Sequence, residues 1–238
     1  MEADDLESLR LGLVGVGTMG ALIASTLVES GYRVVAYDLD PRAVQRAQEI
    51  GALVVDHPQR VAEQTDIVLL VLPGPPQIEA AVSGDHGVLA GAQSGQAIID
   101  MSTVDPATTR RMGAHAQQVG IDYLDAPILG RPSALGRWVL PVGGDPAVLA
   151  RCRPVLEELA RKVIHVGPLG AGNTLKLLNA LMFSAINAMT AEMMAISAKA
   201  GLPPRVLFET IAESQAATVS GLFKEVGAKI VARDFAPV

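Results

Sequence analysis

The 238-residue chain contains one cysteine, Cys152, so no internal disulfide can staple it, and a buried core of its own must hold it together. Aromatic residues are only 3% of the sequence, which leaves small aliphatic side chains to fill that core. Basic charge is scarce as well. Nineteen Lys and Arg stand against 25 Asp and Glu for a net charge of -6, and no basic stripe appears, which argues against a nucleic-acid partner. The start MEADDLESLR is acidic and polar where a secretory signal would be basic and then apolar. Together with the lone cysteine this leads us to expect a cytoplasmic protein. There is no G-x-S-x-G elbow and no P-loop, and His57, His86, His115 and His165 lack metal-ligand spacing, so surface or structural roles are expected for them and for Cys152. The most apolar stretch, 177–198, is broken by Asn179, Asn187 and Glu192 and flanked by Lys176 and Lys199. It reads as a helix buried within protein and not as a membrane span.

What the chain does have is alternation. Short β-branched runs at 10–14, 33–37, 67–72, 97–100 and 122–125 alternate with amphipathic stretches at 18–30, 41–50, 77–82 and 106–119. That pattern predicts a Rossmann-type, doubly wound α/β fold with a parallel sheet covered on both faces. A further strand at 138–143, a helix at 146–159 and a short strand at 163–166 complete it. At Gly167-Pro168-Leu169-Gly170-Ala171-Gly172 the pattern changes, and the remainder reads as a long helix at about 173–200, a turn at 201–204, and more helix. The expected organisation is a dinucleotide-binding domain at 1–166 and an incomplete all-helical domain at 167–238.

The strongest motif is LGLVGVGTMGALIASTLVESG. It sets Gly15, Gly17 and Gly20 in G-x-G-x-x-G spacing after an apolar strand and before an amphipathic helix. Gly15 permits the tight turn, Gly17 lets backbone amides reach a pyrophosphate, and Gly20 lets helix and strand lie close. The loop Gly15, Val16, Gly17, Thr18, Met19 and Gly20 is thus the expected phosphate site, at a helix N-terminus. Asp38 ends the second strand, where a carboxylate accepts hydrogen bonds from ribose hydroxyls and repels a 2′-phosphate, favouring NAD. Arg42, just beyond, leaves NADP open. Asp40 reads as a cap for the helix that opens at Pro41.

Four segments in order, GLVGVGTMG, DMSTVDP, DAPILGRPSALG and GPLGAGNTLKLLNA, resemble the beta-hydroxyacid dehydrogenase family, the group of 3-hydroxyisobutyrate dehydrogenase, which shares architecture with 6-phosphogluconate dehydrogenase. The resemblance implies hydride transfer between a nicotinamide and a 3-hydroxy acid or related small carbonyl compound. It maps the family's catalytic lysine onto Lys176. Such an amine accepts the alcohol proton when neutral, and burial beside Leu175, Leu177 and Leu178 would favour that form. Periodicity alone would place the same lysine in solvent. The resemblance also makes Ser102 a substrate residue and Thr103 a cofactor neighbour, with Leu72 and Pro73 bordering the nicotinamide. A helix-start role for Ser102 and Thr103 stands beside that reading.

Three departures bear on the substrate. Where the family has Ser-Gly-Gly to hold a carboxylate, this chain has Leu129, Gly130 and Arg131. Gly130 and Arg131 are expected at the substrate, with Arg131 either clamping a carboxylate or lying on an exposed loop. Ala180 replaces a family asparagine one turn after the lysine. The adjacent Asn179 is kept as a substrate candidate, although a buried role bonded to backbone is the expected one. The chain ends at Val238, where relatives continue, so the helical part is expected to be incomplete and to pair with a second copy as a homo-oligomer. Against the enzyme reading stand a non-catalytic dinucleotide-binding scaffold and a reductase of imines or aldehydes that lack a carboxylate.

Overall fold

The computed structural model describes residues 9–213. Its first half lays down β1 (Arg10–Val14), α1 (Thr18–Glu29), β2 (Arg33–Tyr37), α2 (Pro41–Ile50), β3 (Leu53–Val54), α3 (Pro58–Ala62), β4 (Ile67–Leu70), α4 (Pro75–Ser83) and α5 (Val88–Gly91). Then follow β5 (Ala97–Asp100), α6 (Pro106–Gln118), β6 (Asp122–Asp125), a 3-10 turn at Pro132–Ala134, β7 (Trp138–Gly143), α7 (Pro146–Leu159), β8 (Ala160–Gly167), α8 (Ala171–Lys199) and α9 (Pro204–Glu213). The short elements β3, α3 and α5 carry too few residues for a periodic signal, and the sequence did not announce them.

One eight-stranded sheet has the order β3-β2-β1-β4-β5-β6-β7-β8. Side chains alternate across it. Leu11, Leu13, Leu69 and Ile99 join a core against the helices on one face, while Val14, Val68, Leu70 and Ile98 join a second core on the other. The first six strands are parallel, as expected, but β7 meets β6 antiparallel at Asp125 and Gly143, and β8 runs parallel to β7. The cause lies in the connection. Pro127, Gly130, Pro132 and Gly136 prevent a crossover helix between β6 and β7, and a parallel return needs one.

Helix starts follow a repeated device. Asp40, Asp105 and Asp145 each precede a proline at the first helical position, and each carboxylate accepts backbone amides of the first turn of α2, α6 and α7 respectively. Several other helices lack such a cap; among them, α1 opens from Gly17 with no side-chain cap, and α8 opens from Gly170, whose carbonyl accepts the Thr174 amide. Both starts lie at the sites discussed below.

The chain divides into two compact units, Met1–Leu178 and Asn179–Val238. The first includes the opening turns of α8. Among the described residues α8 is the one helix long and apolar enough to cross a membrane by length and composition. It is not the buried helix that its sequence suggested. Leu178, Leu181 and Ile196 are 63%, 68% and 65% exposed.

Candidate active site

The turn after β1 is shaped by glycine. Gly15 has φ +97°, and a Cβ there would run into the Val71 carbonyl oxygen. Its amide donates to the Tyr37 carbonyl at 2.9 Å, which ties the loop to β2. A Cβ on Gly20 would run into the Gly15 carbonyl oxygen, so only glycine lets α1 begin this close to β1. Gly17 and Thr18 are exposed, and nothing lies within 4 Å of where a Gly17 Cβ would be. The uncapped amides of α1 therefore face open space, the arrangement that suits an anion.

Asp38 is half-buried at the end of β2. Its Oδ2 accepts the Val16 amide at 2.6 Å and its Oδ1 accepts the Asp40 amide at 2.8 Å, so the carboxylate is fixed against the glycine loop. Asp40 caps α2 through the Arg42 amide at 3.0 Å. Arg42 is exposed, while Arg46, one turn on, lines the cleft and points Nη1 at the Val16 carbonyl oxygen at 3.4 Å. The basic residue at this rim is thus Arg46, which a scan stopping at Arg42 passes over.

These groups line a cleft of about 1270 Å³ that extends from Gly15 and Gly17 past Asp38 to His57 and His86. The two histidine rings stack at 4.8 Å between centroids. Nothing in their sequence spacing signals that the ends of β3 and α4 bring them together. The cleft lies at the C-terminal ends of β1, β2 and β4, where the strand order reverses and such folds take their ligands.

Met19, Val71, Leu72 and Pro73 are shared by this cleft and by a second cavity of about 250 Å³, which is completed by Met101, Ser102, Thr103, Ile128, Gly130 and Lys176. All of these residues belong to the Met1–Leu178 unit. Lys176 is half-buried, and its Nζ donates to the Ile128 carbonyl oxygen at 2.7 Å. Burial holds its pKa below the ordinary lysine value, which favours the neutral amine. The dry surroundings are not those expected from its neighbours along the helix, since Leu177 and Leu178 are exposed. Met101 and Ile128, both buried, supply them across the cavity.

Ser102 is buried and fixed on several sides. Its oxygen accepts the Leu72 amide at 2.9 Å, its amide donates to Asp100 Oδ1 at 2.9 Å, and its hydroxyl also bonds the Asp100 carboxyl. Tyr123 donates to Asp100 Oδ2 at 3.0 Å. Burial pushes the Asp100 carboxyl up to about 6, against the opposing effect of those hydrogen bonds. The same burial, with Asp100 beside it, pushes Tyr123 well above the usual phenol value. Thr103 is exposed on the rim and caps no helix, because Asp105 caps α6.

The segment after β6 differs from the family pattern in use as well as in sequence. Leu129 exchanges both of its backbone hydrogen bonds with Val139, at 3.0 and 3.2 Å, so its amide is not available to an anion. Gly130 packs against the Trp138 indole, where a Cβ would collide with the ring. The Arg131 side chain is exposed, and its carbonyl accepts the Trp138 Nε1 proton at 2.9 Å. Asn179 is exposed, contrary to the expected buried role. The buried asparagine of this region is Asn173, which lies fully inside.

A family model described as the NAD binding domain of 6-phosphogluconate dehydrogenase matches residues 10–167, and one described as NAD-binding of NADP-dependent 3-hydroxyisobutyrate dehydrogenase matches residues 170–238. The chain is 35% identical to 2-(hydroxymethyl)glutarate dehydrogenase of Eubacterium barkeri over 87% of its own length and 70% of that protein. It is 36% identical to 3-hydroxyisobutyrate dehydrogenase of Pseudomonas aeruginosa, over 86% of its length and 69% of that protein. Among solved structures, the 3-hydroxyisobutyrate dehydrogenase of Mycobacterium tuberculosis with L-serine superposes with a TM-score of 0.81 at 31% identity, covering 88% of this chain and 72% of that one. Glycine loop, fixed acidic residue, lysine-bearing cavity and these likenesses agree: the chain belongs to the beta-hydroxyacid dehydrogenase family and is an NAD(P)-dependent oxidoreductase of CH–OH groups.

Proposed function

We propose that the chain transfers a hydride between NAD and a small 3-hydroxy acid or its carbonyl counterpart, with Lys176 as the proton-transfer group. The observation that carries this reading is the cavity itself. A half-buried amine whose pKa burial lowers lines a small chamber that shares Leu72 and Pro73 with the dinucleotide cleft. A nicotinamide seated against those two residues would lie beside an alcohol held at Lys176 and Ser102, the close approach that hydride transfer requires. Neutral Lys176 takes the hydroxyl proton as hydride leaves, and its ammonium returns that proton in the reductive direction. The loop from Gly15 to Gly20 holds the pyrophosphate, and Asp38 holds the adenosine ribose and favours NAD, while Arg46 at the same rim supports use of NADP. Thr103 stands on the cofactor side of the cavity, and Gly130, Arg131 and Asn179 remain substrate-side candidates.

A second reading concerns the substrate alone. With Leu129 in place of a hydroxyl donor and its amide already spent on Val139, the carboxylate cradle implied by the family is incomplete. An imine or aldehyde without a carboxylate would need no such cradle. The exposed apolar side chains of α8 support self-association through the helical region, and the composition supports a cytoplasmic protein without nucleic-acid or membrane partners. Sedimentation of the purified chain as a monomer at micromolar concentration would contradict the former.

The test is NADH absorbance with a panel of 3-hydroxy acids and uncharged alcohols, beside Lys176→Ala and Arg131→Ala. Turnover that Lys176→Ala abolishes while NADH still binds is the expected result, and turnover that survives the substitution would remove Lys176 from the chemistry. Loss of preference for acids in Arg131→Ala supports the acid substrate. A panel in which only uncharged compounds react would establish the second reading.

A further inference from the structure

The lysine-bearing helix starts in an unusual way. Its N-cap is Gly170 at φ +92°, which has no side chain to offer the four free amides of the first turn. Ala171 donates to the Pro168 carbonyl at 2.9 Å. Two of the others find a carboxylate that belongs to a different element: Gly170 donates to Asp125 Oδ1 and Asn173 to Asp125 Oδ2, both at 2.7 Å. The Gly172 amide is directed at the same group. Asp125 ends β6 and is fully buried; burial pushes its carboxyl above the usual range, and the amides at the positive end of α8 oppose that shift.

The contact has no slack. A Cβ on Gly172 would stand 2.7 Å from the Asp125 carbonyl oxygen and 2.9 Å from its carboxylate. Asn173 adds a second tie, accepting the Val104 amide at 3.2 Å on Oδ1 and donating from Nδ2 to Thr109 Oγ1 at 3.1 Å. Three residues beyond Asp125, the same segment presents the Ile128 carbonyl that receives Lys176 Nζ. One short stretch of chain therefore grips α8 twice, once at its first amides and once at the lysine a turn later.

We propose that Asp125 is a positioning residue for Lys176: by capping α8 from the end of β6 it fixes the turn that holds the amine against Ile128 in the cavity. The inference rests on the reading of Lys176 as the proton-transfer group. Its consequence is that the depth to which the amine is buried, and with it the proportion of neutral lysine, depends on a carboxylate that does not line the cavity.

The experiment is competitive acylation of the full chain with a small anhydride across pH, read by mass spectrometry, so that the titration midpoint of Lys176 is obtained without turnover. Asp125→Asn keeps the shape but turns an amide group towards backbone donors. The Lys176 midpoint is expected to rise towards the ordinary lysine value, with its reactivity at neutral pH falling about threefold or more. Turnover should fall roughly tenfold while NADH affinity stays unchanged. Asn173→Ala should move the midpoint in the same direction by less. Asp145→Asn, which uncaps α7 instead, should leave it in place. An unmoved midpoint in a folded Asp125→Asn chain, or an equal movement in Asp145→Asn, overturns the proposal. Should Asp125→Asn not fold, Asn173→Ala decides on the same criterion. Survival of turnover in Lys176→Ala would refute the underlying reading, whereas its loss together with an unmoved midpoint would refute this inference alone.

Discussion

Replacing Asp100 by asparagine tests the electrostatics of the buried floor beneath Ser102. Asp100 is fully buried, and its carboxyl is pushed from 3.8 up to about 6, first by burial and then, more weakly, by nearby Asp125, against the hydrogen bonds from Ser102 and Tyr123. A pKa raised on folding favours the folded state below the unfolded value and withdraws that contribution as pH climbs through the folded one. The rise from 3.8 to about 6 corresponds to about 3 kcal/mol, lost between roughly pH 4 and pH 7. Asparagine has no such titration. It can still accept the Ser102 amide, and its amide group can donate to the Tyr123 oxygen, so the exchange of partners adds an offset that does not vary with pH. The stability of Asp100→Asn relative to the parent should therefore climb by about 3 kcal/mol across this window, some 6–12 °C in melting temperature for a domain of this size. Thermal unfolding followed by far-ultraviolet circular dichroism at several pH values would read it. A difference that stays flat within about 1 kcal/mol from pH 4 to 8 would refute the argument, whatever its absolute sign.

Two further substitutions address the cofactor cleft. Gly20→Ala drives a methyl group into the Gly15 carbonyl and should cost about 1–3 kcal/mol of stability while weakening NADH binding at least tenfold; unchanged affinity by titration would separate the loop from the cofactor. Asp38→Asn sets an amide group against the Val16 or Asp40 amide and removes a charged acceptor, a change worth about 1.5–3 kcal/mol, so NAD affinity should drop about tenfold or more. The preference over NADP should narrow with it, and an unaltered ratio of the two dissociation constants would show that Asp38 does not discriminate.

Much of this was legible in the chain because the signals were local. The runs at 10–14, 33–37, 97–100, 122–125 and 138–143 are strands with those bounds, and the Asp-Pro pairs at 40, 105 and 145 open helices as capping chemistry dictates. The glycine spacing and Asp38 were readable for the same reason, each role being set within one β-α-β unit. Lys176 was different: its helical periodicity pointed to solvent, and only the family resemblance selected it. Relations that span the sheet were not readable. Asp125 meets amides 45 and 48 positions on, so nothing near it marks it as a helix cap. Attention to the asparagines fell on Asn179, adjacent to the altered Ala180, whereas the buried and bonded one is Asn173, read only as the start of the long helix just after the glycine-rich punctuation. The reversal at β7 was hidden too, because alternation of strands and helices does not reveal which connection lacks a crossover.

The one tryptophan of the chain gives the site an optical signal of its own. Trp138 is completely buried, its indole packs against Gly130, and its nitrogen donates to the Arg131 carbonyl, so it touches the cavity wall without lining the cavity. Its emission therefore originates from one place. Quenching by bound reduced nicotinamide through energy transfer would follow cofactor occupancy, while a spectral shift without quenching would follow displacement of the Gly130 segment as substrate arrives. Both signals come from the native chain, with no label attached.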